Sequence, residues 1–332
     1  MDNQQDVQLR LIRLIREQLP EHVSLVDEIA DRLEISNDSA YRRIRGEKPL
    51  SLPEVQKLAG SYHISLDDLL GNPKGSVTFR TSFLEEGSFS FSDWMRNLLG
   101  FTLRAGQHED TEAIFILNEL SIFHLIQVPE LCAFKLFFWR KSNLDFPSFR
   151  EMKFSARNLD EEALSLSREI TDYYSKVNTI EFTTAESLNS ILKQVLYYSE
   201  AGYFQTREDA LLISEKLHDL VDHQQQQAAR GFKYPRGSQA AGQEGNFQLY
   251  YNDLILADNT ILVKTGDFRA TYLTSNAINL MECLDRDFFE YNYRWARNLL
   301  SKSIPISGTA EMERNRFFRI LHDNVDRVAA KI

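Results

Sequence analysis

The stretch Ser24–Gly71, SLVDEIADRLEISNDSAYRRIRGEKPLSLPEVQKLAGSYHISLDDLLG, decides the fold of the first part of this chain. Apolar residues recur at helical spacing on both sides of a polar ISND break. The helix that follows this break ends in the basic run YRRIRGEK. The pattern predicts two short helices joined by a tight turn, followed by two more short helices.

Serines mark the predicted helix starts. Ser24 is expected to cap the first helix, and Ser36 or Asn37 the second. Ser51 has a glutamate three residues later, which is the spacing of a capping box. Ser65 is expected to open a last short helix before Gly71.

The second helix carries the basic end. Its predicted inward residues are Ala40, Tyr41 and Ile44. Gly46 is expected to end the helix as a C′ glycine, and Pro49 prevents its continuation. The remaining residues are predicted to face outward or to flank the helix: Asp38, Ser39, Arg42, Arg43 and Arg45.

The order of these elements over residues 6–71 resembles the lambda-repressor/Cro-type helix-turn-helix of the XRE-like regulators. The resemblance implies a domain that places its second helix, about residues 37–45, in the major groove of DNA. Only Arg45 separates Ile44 from Gly46, where the family usually has two residues, which leaves open which arginine reaches the bases. The matching residues are Ala30, Ser36, Ile44, Gly46, Pro49, Val55, Leu58, Ala59, Leu66, Asp67 and Leu70.

This resemblance implies a DNA-binding surface with divided roles. Arg42 and Arg43 are expected to contact bases or phosphates, with Asp38 and Ser39 near the groove floor. The remaining expected contacts are caps or backbone contacts, made by Ser36, Asn37, Arg45 and Lys48. A domain of this size makes few contacts, so a homodimer on double-stranded DNA is expected, with no seam identified.

Charge weighs partly against DNA binding. The chain has a net charge of −10, and residues 1–72 hold nine basic against thirteen acidic residues. The basic character is local, because Tyr41–Lys48 holds four basic residues against one glutamate. Arg10, Arg13 and Arg16 form a second basic row on the first helix, whose predicted inward residues are Leu9, Ile12 and Ile15.

Length and composition predict two intracellular domains. The 332 residues allow a helix-turn-helix domain at 1–71, a Pro/Gly linker at 72–76 and a larger domain at 77–332. Cys132 and Cys283 fit buried thiols in a reducing compartment. The polar start of the chain and the lack of a long apolar run predict a cytoplasmic protein without a membrane partner.

The predicted fold class is mainly α, with an all-α N-terminal domain and a helix-rich α/β (α+β) C-terminal domain that holds a small sheet. Strands are predicted at 76–83, at 111–119 and three times within 247–275, with turns at Asp258-Asn259 and Gly266-Asp267. Residues 223–246 are expected to form an exposed, mobile loop. Predicted helices lie near 91–106, 129–142, 159–177, 184–201, 206–228, 276–284, 286–302 and 309–330.

The C-terminal region shows no pattern typical of an enzyme, a cofactor or a metal site. His218 and His223 are five residues apart, off a common helical face, and are expected to lie at a solvated helix end. Asp253 and Asp267 fit turn residues. The aromatic residues are assigned to the core, with an effector pocket as the alternative: Tyr250, Tyr251, Tyr272, Phe288, Phe289 and Trp295.

These observations predict a sequence-specific transcriptional regulator whose C-terminal domain senses a small-molecule or protein effector, dimerises, or both. One alternative is a protein-interaction scaffold with helical hairpins and an N-terminal docking domain. Another is a nucleic-acid-processing protein whose active site is assembled from distant residues.

Overall fold

The computed structural model describes residues 2–20, 22–70, 75–82, 84, 87, 89–106, 108, 110–243, 245–253 and 259–332. Contacts divide the chain into two compact parts, Met1–Thr78 and Phe79–Ile332, named unit 1 and unit 2 below. The predicted linker at 72–76 falls mostly on residues 72–74, which lie outside the described residues. The domain boundary therefore stays a prediction.

Unit 1 is helical throughout its described residues. Its helices are α1 (Asp2–Gln18), α2 (Leu25–Leu33), α3 (Asn37–Ile44), α4 (Leu52–Ser61) and α5 (Leu66–Leu70). Two predicted serine caps form, because the backbone N–H of Asp27 donates to Ser24 Oγ and that of Ser39 to Ser36 Oγ, both at 3.4 Å. Gly46 follows α3 with φ of +74°, the left-handed conformation of a C′ glycine.

The buried face of α1 differs from the prediction. Ile12 and Ile15 are buried as expected, but Leu9 is exposed and Leu11 takes its place in the core. The three buried residues pack with Ile29 of α2 and with residues of α3 and α4. The arginines at positions 10, 13 and 16 are exposed, so the predicted basic row on α1 forms.

Unit 2 contains one mixed sheet of seven strands among its described residues, in the order β6-β5-β4-β1-β2-β3-β7. Strands β1, β2 and β3 are parallel neighbours, whereas β4, β5, β6 and β7 pair antiparallel. The strands are β1 (Glu112–Ile116), β2 (Asn178–Thr183), β3 (Phe247–Tyr251), β4 (Thr260–Thr265), β5 (Phe268–Ser275), β6 (Asn279–Cys283) and β7 (Ile304–Pro305). The arrangement is α/β, so the predicted class, mainly α with a small sheet, is wrong.

Helices cover both faces of this sheet. On one face, Phe289, Ala296 and Leu299 of α12 pack against Ile114 and Ile180. The other helices lie on the opposite face, where two larger cores form. The helices are α6 (Phe91–Gly106), α7 (Ile122–Leu125), α8 (Pro129–Phe138), α9 (Glu161–Tyr174), α10 (Asn189–Glu200), α11 (Arg207–Arg230), α12 (Arg286–Leu300) and α13 (Glu311–Ala329).

Three secondary-structure predictions fail in unit 2. Strand β2 is absent from the prediction, although it lies in the interior of the sheet, between β1 and β3. Residues 279–283 form strand β6 in place of the helix predicted near 276–284, because they pair with β5. The strand predicted at 76–83 is reduced, among its described residues, to a single bridge between Arg80 and Glu282.

The prediction of an exposed, mobile loop at 223–246 is wrong for its first half. Helix α11 continues to Arg230 and ends at Gly231, whose φ is +70°. Lys233 is then only 2% exposed, and its Nζ donates to the carbonyl oxygens of Val177 and Asn246 at 2.7 and 2.9 Å. Residues 236–239 and 241–243 are exposed.

Several smaller predictions can be compared directly. Gly266 and Asp267 form the tight turn between β4 and β5, and both cysteines are buried. Asp258 lies outside the described residues. In the part of the chain that the structure describes, no helix combines the length and apolar character needed to cross a membrane.

Candidate nucleic-acid interface

Helices α2 and α3 form a helix-turn-helix pair. Glu34 ends α2 in the left-handed conformation, with φ of +57°, and the Ile35 N–H donates to the Ala30 carbonyl at 3.0 Å. The side chain of Asn37, at the start of α3, donates to Asp27 Oδ1 at 2.7 Å. These contacts fix the direction of α3 relative to α2.

Arg43 does not face outward as predicted. Its side chain is 7% exposed, and its Nη2 lies 2.6 Å from Oε1 of Glu54 on α4. Nη1 donates to the Ser39 carbonyl at 3.2 Å. Arg43 therefore joins α3 to α4 and is not placed to contact DNA.

Glu54 serves two helices at once. Its Oε1 accepts from Arg43, while its Oε2 accepts from the backbone N–H of Ser51 at 2.7 Å. Burial alone would raise the pKa of Glu54, but the hydrogen bonds from Ser51 and Arg43 outweigh it and lower the pKa below its usual value. The carboxylate is therefore charged in the folded unit at neutral pH.

Tyr41 faces outward, whereas Arg43, which was predicted to face outward, is buried. Tyr41 is 47% exposed, whereas the prediction placed it in the core beside Ala40 and Ile44. The Arg45 guanidinium lies 5.6 Å from the centre of the Tyr41 ring. The core positions that remain on α3 are Ala40, which is buried, and Ile44, which is half-buried.

The outward face of α3 presents a free cation. Among the described residues, no hydrogen bond or ion pair holds the exposed side chain of Arg42. Arg45 lies 3.2 Å from Glu47 Oε1, and both side chains are exposed. Lys48 is exposed beyond the helix end. The other predicted site residues also lie at the surface: Ser36, Asn37 and Asp38 are exposed, and Ser39 is half-buried.

Gln8 of α1 braces the turn after α3, and the sequence prediction missed it. Its amide nitrogen donates to the carbonyl oxygens of Arg43 and Lys48 at 2.7 and 2.9 Å. Its amide oxygen accepts from the Leu50 N–H at 2.9 Å. The only sign of this role in the sequence is that Gln8 is a polar residue one helical turn before the buried Leu11 and Ile12 of α1.

A second set of contacts holds α2 against α4. Glu28 accepts from the Tyr62 hydroxyl at 2.6 Å and from Arg32 at 2.9 Å. Hydrogen bonds from Tyr62 and Arg32 lower the pKa of Glu28 below its usual value. Lys57 pairs with Glu34 at 2.6 Å. The α2–α4 side is thus mixed in charge, in contrast to the outward face of α3.

The histidines of unit 2 do not assemble a metal site. His218 stacks on His322 with their Nδ1 atoms 2.7 Å apart, and each ring also contacts an aspartate, Asp326 or Asp222. The predicted solvated helix end at His218 is therefore a contact between α11 and α13. Over the described residues, no group of three or more metal-ligating side chains occurs.

A buried polar cluster on β2 is the other feature that the prediction missed. Glu181 Oε2 lies 2.8 Å from His124 Nε2, and its Oε1 accepts from Tyr174 and from Thr179. Lys233 Nζ donates to Thr179 Oγ1 at 2.8 Å. These side chains are all buried, so the cluster joins β2 to α7, α9 and the segment after α11.

Comparison with known protein families gives one result that bears on unit 1. Residues 10–79 match the family model of the BetR domain. The match and the helical unit agree with a DNA-binding domain of the helix-turn-helix kind at a coarse level, and with a regulatory role. Neither distinguishes the lambda-repressor/Cro type. No curated protein and no solved structure matches this chain.

Proposed function

We propose that this protein is a sequence-specific DNA-binding transcriptional regulator that acts without catalysis. Helix α3 enters the major groove, and unit 2 senses an effector, dimerises, or both. The observation that carries the proposal is the outward face of α3, where Arg42 is exposed and free while the neighbouring Arg43 is buried against Glu54.

Helical geometry selects which side chains share this face. Residues three and four apart lie above one another on a helix, so Asp38, Arg42 and Arg45 line one side. Asn37 and Tyr41 lie four residues apart on the neighbouring face of α3 and are also exposed. Arg42 is our choice for base contact, because arginine binds guanine through two parallel hydrogen bonds.

The remaining surface residues suit phosphate contacts. Ser36 lies at the N-terminus of α3, where free backbone N–H groups and a hydroxyl attract phosphate oxygens. Lys48 lies beyond the other end, on the turn that Gln8 braces. Arg43 is excluded from this proposed set because its guanidinium is committed to Glu54.

A homodimer is part of the proposal, since one unit of this size offers a short recognition helix and few contacts. Two copies that bind half-sites about one helical turn apart double the contact area. A protein of net charge −10 is expected to bind non-specific DNA weakly and to show strong salt dependence.

The test is selection of bound genomic DNA fragments by the purified full-length protein, followed by footprinting of the selected site. We expect a pseudo-palindromic site that Arg42→Ala enriches less strongly and with a relaxed preference at one base pair per half-site. Arg168→Ala, which removes an exposed arginine from α9 of unit 2, is the matched control and should select the same site. Failure to enrich any sequence would favour the interaction scaffold over the regulator.

A further inference from the structure

Unit 2 contains a cavity of about 440 Å³ between α6 and strands β4–β6. A second cavity of about 230 Å³ shares Phe101, Arg104 and Tyr272 with it. The size of the larger cavity and the aromatic walls of both are those of sites that bind small molecules. The apolar wall of the larger cavity includes Trp94, Leu98, Phe101, Ile261, Tyr272 and Leu280.

Arg104 is the charged group common to both cavities. Its side chain is exposed, and in the part of the chain that the structure describes no hydrogen bond or ion pair engages it. Arg96 also lines the larger cavity, but it donates to Asp93 and to Glu162. A guanidinium without a partner beside apolar walls is suited to a carboxylate, which it can hold through two hydrogen bonds.

The positions of the other charges fix the orientation of such a ligand. Glu282 lines the larger cavity, where it accepts from the Tyr272 hydroxyl at 2.9 Å. Among the described residues that line the smaller cavity, the ionisable side chains are Arg104, His108 and Tyr272, and none is a carboxylic acid. A negative group is therefore favoured beside Arg104 on the side of the smaller cavity, which Glu282 does not line.

We propose that the two cavities together bind an apolar monocarboxylate. Its carboxylate pairs with Arg104, and its ring or chain lies against Trp94, Phe101 and Tyr272. The site does not depend on DNA binding, whereas its use as an effector site rests on the proposed regulatory function.

The apolar part of the ligand can be an aromatic ring or an alkyl chain. Isothermal titration calorimetry of the full-length protein with 1-naphthylacetate and with decanoate distinguishes the aromatic acid from the alkyl acid. The neutral 1-naphthylacetamide has the same ring without the charge. We expect an acid to bind about ten-fold more tightly than the amide, which is the effect of one charge-assisted hydrogen-bonded pair. Equal binding of acid and amide, or no binding of any of the three at millimolar concentration, overturns the proposal.

Two variants locate the site, and a third serves as their control. Arg104→Gln should weaken acid binding about ten-fold and leave amide binding unchanged. Arg168→Gln, which changes an exposed arginine of α9 that lines neither cavity, should keep the preference for the acid. Gly100 lines the larger cavity, so the side chain of Gly100→Leu should fill it and block every ligand. The variant should fold, because a Cβ at Gly100 meets only the Arg104 side chain, at 3.4 Å, and leucine favours the helix more than glycine does. Unchanged binding in Gly100→Leu would place the ligand elsewhere and overturn the proposal.

The regulatory role has its own readout. The selected DNA fragment is titrated with protein in the presence and absence of the acid that binds. A change in DNA affinity that Arg104→Gln abolishes supports the effector role, and an unchanged affinity overturns that role alone. If the acid binds but no DNA is selected, the cavity assignment stands and the proposed DNA-binding function fails.

Discussion

Arg43 Nη2 lies 2.6 Å from Glu54 Oε1, so an arginine in the basic run of α3 holds α4 in place. The same carboxylate accepts from the Ser51 N–H at the start of α4. The contact therefore couples the orientation of the proposed recognition helix to the start of the next one. Arg42, which adjoins Arg43 in the sequence, is left as the free cation on the outward face of α3.

Arg43→Ala should destabilise unit 1 by about 2–3 kcal/mol, because it leaves the partly buried Glu54 without its cationic partner. Hydrogen–deuterium exchange of peptides from α3 and α4 measures this in the full-length protein. We expect faster exchange in both helices. Arg43→Lys should have a smaller effect, since it retains the charge but cannot bind Glu54 and the Ser39 carbonyl at the same time through two nitrogen atoms. Unchanged exchange in Arg43→Ala would show that the ion pair does not hold the unit together.

Arg42→Ala should leave exchange in unit 1 unchanged and cost about 1–3 kcal/mol in binding to the selected DNA, with relaxed preference at one base pair per half-site. Lys48→Ala should weaken binding to all sequences alike and reduce the salt slope by about one. Competition binding at several salt concentrations separates the two effects. If Arg42→Ala binds its selected site as tightly as the wild type, the recognition helix is wrongly assigned.

The helices of unit 1 could be predicted because their signals are local. Serine caps, Gly46 and the apolar spacing act within one or two turns of the chain. Which side chains of α3 face inward could not be predicted in the same way. Tyr41 and Arg43 are both large amphipathic residues, and the choice between them depends on Glu54, eleven positions beyond Arg43.

The sheet of unit 2 was underestimated for a related reason. Strand β2 is buried on both faces, but its short sequence NTIEFT holds only two apolar residues, Ile180 and Phe182, so no apolar run marks it as a buried strand. Glu181 makes the segment look exposed, although His124, Tyr174 and Thr179 engage it. Likewise, Lys233 lies in a polar, glycine-rich run, and two of its partners are backbone carbonyls that no side-chain pattern reveals.

Gln8 provides a test of the brace between α1 and the turn after α3. Gln8→Glu has almost the same shape but would place a carboxylate against the carbonyl oxygens of Arg43 and Lys48, which now accept from the amide nitrogen. We expect it to destabilise unit 1 by about 2 kcal/mol, the cost of losing both hydrogen bonds and of charge repulsion.

The measurement for Gln8→Glu is hydrogen–deuterium exchange of the segment 43–50, with Gln18→Glu as the control for an added charge on α1, since Gln18 is exposed. DNA affinity should fall along with protection of the turn. Slow exchange at 43–50 combined with weakened binding would instead indicate that Gln8 lies at the DNA surface.

Unit 2 should lose stability in two steps as the pH falls. Burial lowers the pKa of His223 to about 4, so the imidazole of the folded state is protonated at a lower pH than that of the unfolded state. The resulting stability is present above about pH 6.5 and is lost as the pH falls toward 4. Burial would raise the pKa of Glu181, but His124, Lys233 and Tyr174 outweigh it and lower the pKa to about 2. Its contribution is lost between about pH 4.5 and 2.

Tryptophan fluorescence measures this loss for unit 2 alone, because Trp94, Trp139 and Trp295 all lie there. The urea midpoint should fall between pH 6.5 and 4.5 in the wild type and stay flatter in His223→Gln. The ionisable neighbours of His223 are His124 and Arg236, and both remain in this variant. Each step is worth at most about 3–4 kcal/mol, the value of two to three pKa units. An equal fall in wild type and variant over this range would assign the first step to another group.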